Sequence, residues 1–179
     1  MKKSVYEEAR RRALELYEKA HIVLTPEEQE RLEVADFGLG RLEDTGLEIV
    51  TYVNTERCCA KEMVLFPGQT CPEHRHVETE GMPGKEETFR CRYGEVYLYV
   101  DGQGAREDIA GALPPSPVTV FHEIRLGPGE QYTILPGTKH WFQAGKSGAV
   151  ISEFSTHSTD ETDVFTDTAI VRMPEIEND

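Results

Sequence analysis

The chain has 179 residues, a formal net charge of −14, 29% charged residues and 38% hydrophobic ones, which suits one compact domain with a real core. A negative field of that size repels phosphate backbones and anionic lipids, which argues against nucleic-acid and membrane partners and favours a small, neutral or metal-bound molecule. No apolar run approaches the roughly 20 residues of a membrane span, and Met1-Lys2-Lys3 leads into Tyr6 and glutamates rather than a secretion signal, so the expected compartment is the cytoplasm.

Two helices are expected first. Ser4 and Glu7 match a capping box, and Val5, Ala9, Ala13, Leu16 and Ala20 recur at near-helical spacing to about Ala20. Thr25-Pro26-Glu27-Glu28 opens a second helix, with Thr25 as N-cap, running to about Val34. Gly38 and Gly40 then close the helical region, so residues 1–40 form a helical segment packed on a domain of residues 41–179.

From Leu47 the pattern is that of strands. The expected strands are Leu47–Val53, Ala60–Phe66, Cys71–Val77, Glu87–Val100, Val118–Leu126, Tyr132–Leu135, Lys139–Ala144 and Ala149–Ser155. Pro67-Gly68, Pro83-Gly84, Asp101-Gly102, Gly127-Pro128-Gly129 and Pro136-Gly137 supply the turns, and Gly104–Pro117 reads as a long surface loop. Short strands without intervening helices predict an antiparallel sandwich or barrel. The acidic, aperiodic tail after Asp160 either closes one end of the barrel or stays partly free. Cys58, Cys59, Cys71 and Cys91 contain no Cys-x-x-Cys pair and read as free, mostly buried thiols.

The chemistry gathers around His74-Arg75-His76. Strand residues two apart share a face, so both imidazoles point one way and Arg75 the other. In the next strand Thr88, Arg90 and Arg92 face water, which turns Glu87, Phe89 and Cys91 inward; Lys85 shares that parity if the strand begins early, and Glu86 does not. An inward carboxylate needs a cationic partner, and a metal ion held by imidazoles is one. Pro136-Gly137-Thr138-Lys139-His140 places a third imidazole at a strand start. His74, His76, Glu87 and His140 are therefore the candidate metal ligands. His21, His122 and His157 read as ordinary structural histidines, with His122 a secondary candidate for the cavity wall, as are some of Tyr93, Tyr97 and Tyr99.

These motifs resemble those of the cupin superfamily. Gly68 six positions before His74-x-His76, with Glu87 seven before Gly94, is similar to the first cupin motif, and Pro136-Gly137-x-x-His140 to the second. The gap from Val77 to Glu86 is longer than in most cupins. With that insertion, the runs Phe66-Pro67-Gly68-Gln69, Cys71–His76, Gly84-Lys85-Glu86-Glu87, Pro136–Trp141 and Ser152–Thr156 resemble the D-lyxose isomerases over most of the chain. The resemblance implies a cupin-type antiparallel jelly-roll barrel with two N-terminal α-helices, a homodimer, and manganese on His74, His76, Glu87 and His140, with Fe2+, Co2+, Ni2+ or Zn2+ as alternatives. It further implies Lys85 and Glu153 as the catalytic acid–base pair.

Such a site suits interconversion of D-lyxose with D-xylulose and of D-mannose with D-fructose. Four protein ligands leave about two positions on an octahedral ion for neighbouring sugar oxygens. An acid and a base can then move a proton through a metal-chelated enediol, although a hydride shift stays open. A nearby metal is expected to push the Lys85 pKa down. The scarcity of inward cations favours unphosphorylated monosaccharides. The competing reading is a metal-dependent cupin oxygenase or oxidase with the same ligands, which would have no use for Lys85 and Glu153.

Overall fold

The computed structural model describes residues 1–179 except Glu80 and Pro174. Helix α1 spans Lys3–Lys19 and buries Ala9, Ala13, Leu16 and Tyr17. The expected Ser4 cap is not formed: Ser4 lies inside the first turn and its hydroxyl donates to Asp179 Oδ1 at 2.7 Å. The tail carboxylate also accepts from the Ser4 amide, so it serves the free N–H groups that a cap would have served. Helix α2 is short, Pro26–Glu30, with the Thr25–Glu28 capping box closed in both directions. It ends before Val34 because β1 (Glu33–Ala35) is taken into an antiparallel ladder with β2 (Leu47–Asn54).

The remaining strands are β2 (Leu47–Asn54), β3 (Cys59–Leu65), β4 (Thr70–Arg75), β5 (Glu87–Val100), β6 (His122–Leu126), β7 (Gln131–Ile134), β8 (His140–Ser155) and β9 (Val164–Phe165). All their pairings are antiparallel, in the order β1-β2-β3-β8-β4-β9, with β5 joining β8, β6 and β7. The sheet curls into a barrel, the expected mainly β architecture with two helices.

Two strands expected around Gly145–Gly148 are one, β8. The glycines do not turn the chain because β5 runs beside it from Glu87↔Ser155 to Val100↔His140. Gly94 is what permits this: its φ is +73°, and a Cβ there would lie 1.9 Å from the Gly148 carbonyl oxygen. The bulge between Cys91 and Tyr93 also reverses side-chain parity. Cys91 faces the interior, but Tyr93 packs near α1 and Tyr97 lies beside the Tyr99–Trp141 stack, whose centroids are 3.8 Å apart. None of these tyrosines lines the interior cavity.

The interior is filled by Ile49, Met63, Leu65, Phe89, Leu98, Phe142 and Ile151. A second apolar layer lies outside, where α1 covers Val50, Val64, Phe66 and Val150, and Tyr17 donates to the Glu62 carbonyl at 2.8 Å. Cys59, Cys71 and Cys91 are buried free thiols and Cys58 is exposed. No helix among the described residues is long and apolar enough to cross a membrane.

Candidate active site

The cavity opens at the barrel mouth, and its geometry begins with strand parity. His74 and His76 are buried while Arg75 between them is exposed. His74 and His140 are Cα partners on β4 and β8, so two imidazoles meet across one ladder, with ring centroids 4.3 Å apart. Gly84 lets the next segment approach: a Cβ there would fall 2.1 Å from the His76 carbonyl oxygen. That close passage brings Lys85 and Glu87 to the histidines.

Each imidazole has its Nδ1 engaged from behind. His74 Nδ1 lies 2.8 Å from Pro72 O, His140 Nδ1 3.0 Å from Thr138 O, and His76 Nδ1 2.5 Å from Asp163 Oδ1. Backbone carbonyl partners of this kind set the tautomer of His74 and His140 and leave their Nε2 as the electron-pair donor. Ligand atoms of the three rings lie within 4.8 Å of one another. Glu87 Oε1 stands 3.1 Å from His76 Nε2 and 3.0 Å from His140 Nε2.

The His140 contact tests whether these residues fit a metal ion. His140 is fully buried, and among the described residues its Nε2 has no hydrogen-bond partner despite the nearby carboxylate. With Nδ1–H donated to the Thr138 carbonyl, two electron-pair donors face each other in a buried site, which calls for a cation between them. Mixed imidazole and carboxylate donors suit a first-row divalent ion.

The electrostatics differ from ring to ring. Burial, reinforced by His140 and His76, holds the His74 pKa well below its ordinary value, so that ring is neutral. Burial would lower His76 too, but Glu87 and Asp163 outweigh it and raise its pKa to about 9. Burial would raise Glu87, yet Lys85 and His76 hold it well below the usual carboxylate range.

Lys85 is ringed by acidic groups. Burial would lower its pKa, but Glu153, Glu87 and Asp160 together raise it well above the ordinary lysine value. Its Nζ lies 2.8 Å from Glu87 Oε2, 3.1 Å from Glu153 Oε1 and 3.3 Å from Asp160 Oδ1. Three carboxylates fix it as an ammonium, a proton donor rather than a neutral amine.

Four further charged groups reach the cavity that the sequence reading did not single out. Lys61 Nζ lies 2.5 Å from Asp160 Oδ2 and 3.7 Å from Glu153 Oε1. Asp163 backs His76, and Arg172 pairs with Glu33 and lies 3.6 Å from Asp160. Lys61 carried a usable signal, since it shares strand parity with inward Met63 and Leu65. Asp160, Asp163 and Arg172 carried none, because they belong to the aperiodic tail, which does close over the cavity here.

His21 and His122 are exposed, and His157 bonds to Asn54 and Thr55 outside the cavity. His122 Nδ1 contacts Gln103 O. None of the three lines the cavity.

A curled antiparallel barrel with an imidazole–carboxylate cluster at its mouth defines a cupin-type protein. Solved structures of the same fold include the Acinetobacter sp. DL28 L-ribose isomerase in complex with L-ribose, at TM-score 0.73 and 17% identity over 95% of this chain and 94% of that one. Another is the Cellulomonas parahominis L-ribose isomerase, at TM-score 0.71 and 17% identity over 94% of each chain. The family described as D-lyxose isomerase matches residues 115–179. The D-lyxose/D-mannose isomerase of Thermosediminibacter oceani is 60% identical over 99% of both chains. The D-lyxose ketol-isomerase of Cohnella laeviribosi is 59% identical over the full length of both. The chain belongs to the D-lyxose isomerase family and is an aldose–ketose sugar isomerase.

Proposed function

We propose that this enzyme interconverts D-lyxose and D-xylulose, and D-mannose and D-fructose, by proton transfer through an enediol in a metal-dependent site. The observation that carries metal dependence is the buried, unpartnered His140 Nε2 facing Glu87 Oε1 at 3.0 Å. His74, His76, Glu87 and His140 would hold the ion, with Mn2+ the favoured metal. When bound, it supplies a Lewis acid that polarises the sugar carbonyl.

The chain's own groups do the rest. Glu153 is the base that carries a proton between C1 and C2. Both of its hydrogen bonds among the described residues, from Lys85 and Ser155, fall on Oε1, so Oε2 is the oxygen that takes the proton. Lys85, held charged by its carboxylates, donates to the oxygen on which negative charge develops. Lys61 and Asp160 brace this pair through short contacts. Lys61, Lys85 and Arg172 are each committed to carboxylates, which leaves no unpaired cation among them for a phosphate and favours free sugars. The same reading takes the enzyme as a cytoplasmic homodimer, with the two N-terminal helices packed on the barrel. An oxygenase would leave the Lys85–Glu153 pair without a task.

The test is an anaerobic incubation of metal-stripped, Mn2+-restored protein with D-lyxose and D-mannose. D-xylulose and D-fructose are the expected products, lost on chelation. Full turnover after exhaustive chelation, or oxygen consumption with a cleaved product, would overturn the proposal.

A further inference from the structure

Behind the imidazole cluster lies a second constellation, centred on Glu73. Glu73 and Lys139 directly precede His74 and His140, the Cα partners of β4 and β8. Glu73 is 1% exposed and does not line the cavity. Its carboxylate is fully caged. Oε2 accepts the amides of Thr119 at 2.6 Å and Val120 at 3.0 Å. Oε1 accepts the hydroxyls of Thr119 at 2.8 Å and Thr166 at 2.5 Å. The Glu73 carbonyl accepts the Thr166 amide at 3.0 Å. Lys139 Nζ stands 3.8 Å away and donates to Thr119 Oγ1 at 2.9 Å.

This carboxylate ties together three segments remote in sequence: β4, the end of the long loop, and the C-terminal segment at Thr166. Residues just ahead of Thr166 back two of the imidazoles. Asp163 bonds His76 Nδ1, and Phe165 packs on His74 with centroids 5.4 Å apart. A buried anion with four donors keeps one geometry, because displacing any donor leaves charge unpaired.

We propose that Glu73 is a positioning residue for the metal site. It locks the C-terminal segment onto β4, so that Asp163 and Phe165 hold His76 and His74 with their Nε2 atoms converging. The inference rests on the metal-dependent reading given above. Groups that orient metal-bound imidazoles contribute about 10–100-fold in metal affinity, and Glu73 acts one step behind them.

The experiment uses the full-length protein and Co2+ as probe, followed by its visible absorption bands and by calorimetry. Glu73→Gln keeps the volume but sets an amide NH2 against other donors. The expected result is Co2+ binding weakened about 10-fold, shifted bands and faster hydrogen exchange at the Thr166 amide. Thr166→Val, a milder change, should weaken binding in the same direction, and it decides the matter if Glu73→Gln fails to fold. Leu16→Ala, on the buried face of α1 in the outer apolar layer, controls for general loss of stability. It should lower Tm with Co2+ affinity and bands unchanged. Wild-type affinity and bands in Glu73→Gln and Thr166→Val overturn the inference, as does equal weakening in Leu16→Ala at matched Tm loss. A wild-type protein that binds no Co2+, Mn2+ or other divalent ion would overturn the metal reading itself.

Discussion

The barrel interior is dry at one end and densely charged at the other, and a single strand shows both. On β8, His140 and Glu153 near the two ends belong to the polar cluster, while Phe142, Ala144, Ala149 and Ile151 between them belong to the apolar core. The same period-2 alternation produces both regions. What differs is pairing: Glu87, Glu153 and Asp160 each lie within about 3 Å of a buried lysine nitrogen or a histidine ring nitrogen. The contrast teaches that inward charge here is a matched set, and that apolar packing holds the set without taking part in it.

Four substitutions put that division to work. Glu87→Gln should do most harm, since it removes the anion facing His76 and His140 and leaves Lys85 short of a partner. Loss of bound metal and a fall in turnover of about 10³-fold or more are expected, the worth of several kcal/mol of Lewis-acid stabilisation. Metal content and turnover measured on one preparation check this; full metal with full turnover would erase the distinction between the two ends. Glu153→Gln and Lys85→Ala should each lower turnover by about 10²–10⁴-fold while keeping metal. A variant that keeps both metal and turnover removes its residue from the acid–base pair. Leu98→Ala, in the dry end, should cost about 2–5 kcal/mol of stability with metal affinity unchanged. Loss of metal in that variant would mean that the two ends are one cooperative unit.

How far the site could be read from the sequence follows from the same physics. His74, His76, Glu87 and Lys85 were legible because alternation assigns a face, and His140 because a Pro-Gly turn announces a strand start. The continuity of β8 was not legible: Gly145 and Gly148 have the composition of a turn, and only the ladder with β5 keeps them extended. Asp160, Asp163 and Arg172 are placed by the tail docking along β4, a tertiary event with no local period. The Ser4 cap was a sound local signal that lost to Asp179, 175 residues away in the chain. Asp160, invisible as a site residue in the sequence, is one of the three carboxylates that raise the Lys85 pKa.

Glu48 extends the comparison to the layer outside the barrel, where a buried carboxyl lacks what the inner ones have. It is fully buried, and its Oε1 accepts from the Gln69 amide at 3.3 Å, while among the described residues Oε2 has no side-chain partner. The nearby Arg12 guanidinium is engaged by Glu43 and lies over the Phe66 ring. Burial therefore raises the Glu48 pKa well above its ordinary 4.5, with Gln69 and Arg12 opposing weakly. The folded protein holds the group neutral, whereas the unfolded chain ionises it near 4.5. The unfolded state binds fewer protons above that pH, so stability falls as pH rises, by up to about 1.4 kcal/mol per unit until the folded pKa is reached. Glu48→Gln keeps the shape and removes the ionisation. Its Tm advantage over wild type should be small at pH 5 and widen towards pH 8 as measured by calorimetry. A gap that stays constant across that range would mean that Glu48 is ionised in the fold and paired as the inner carboxylates are.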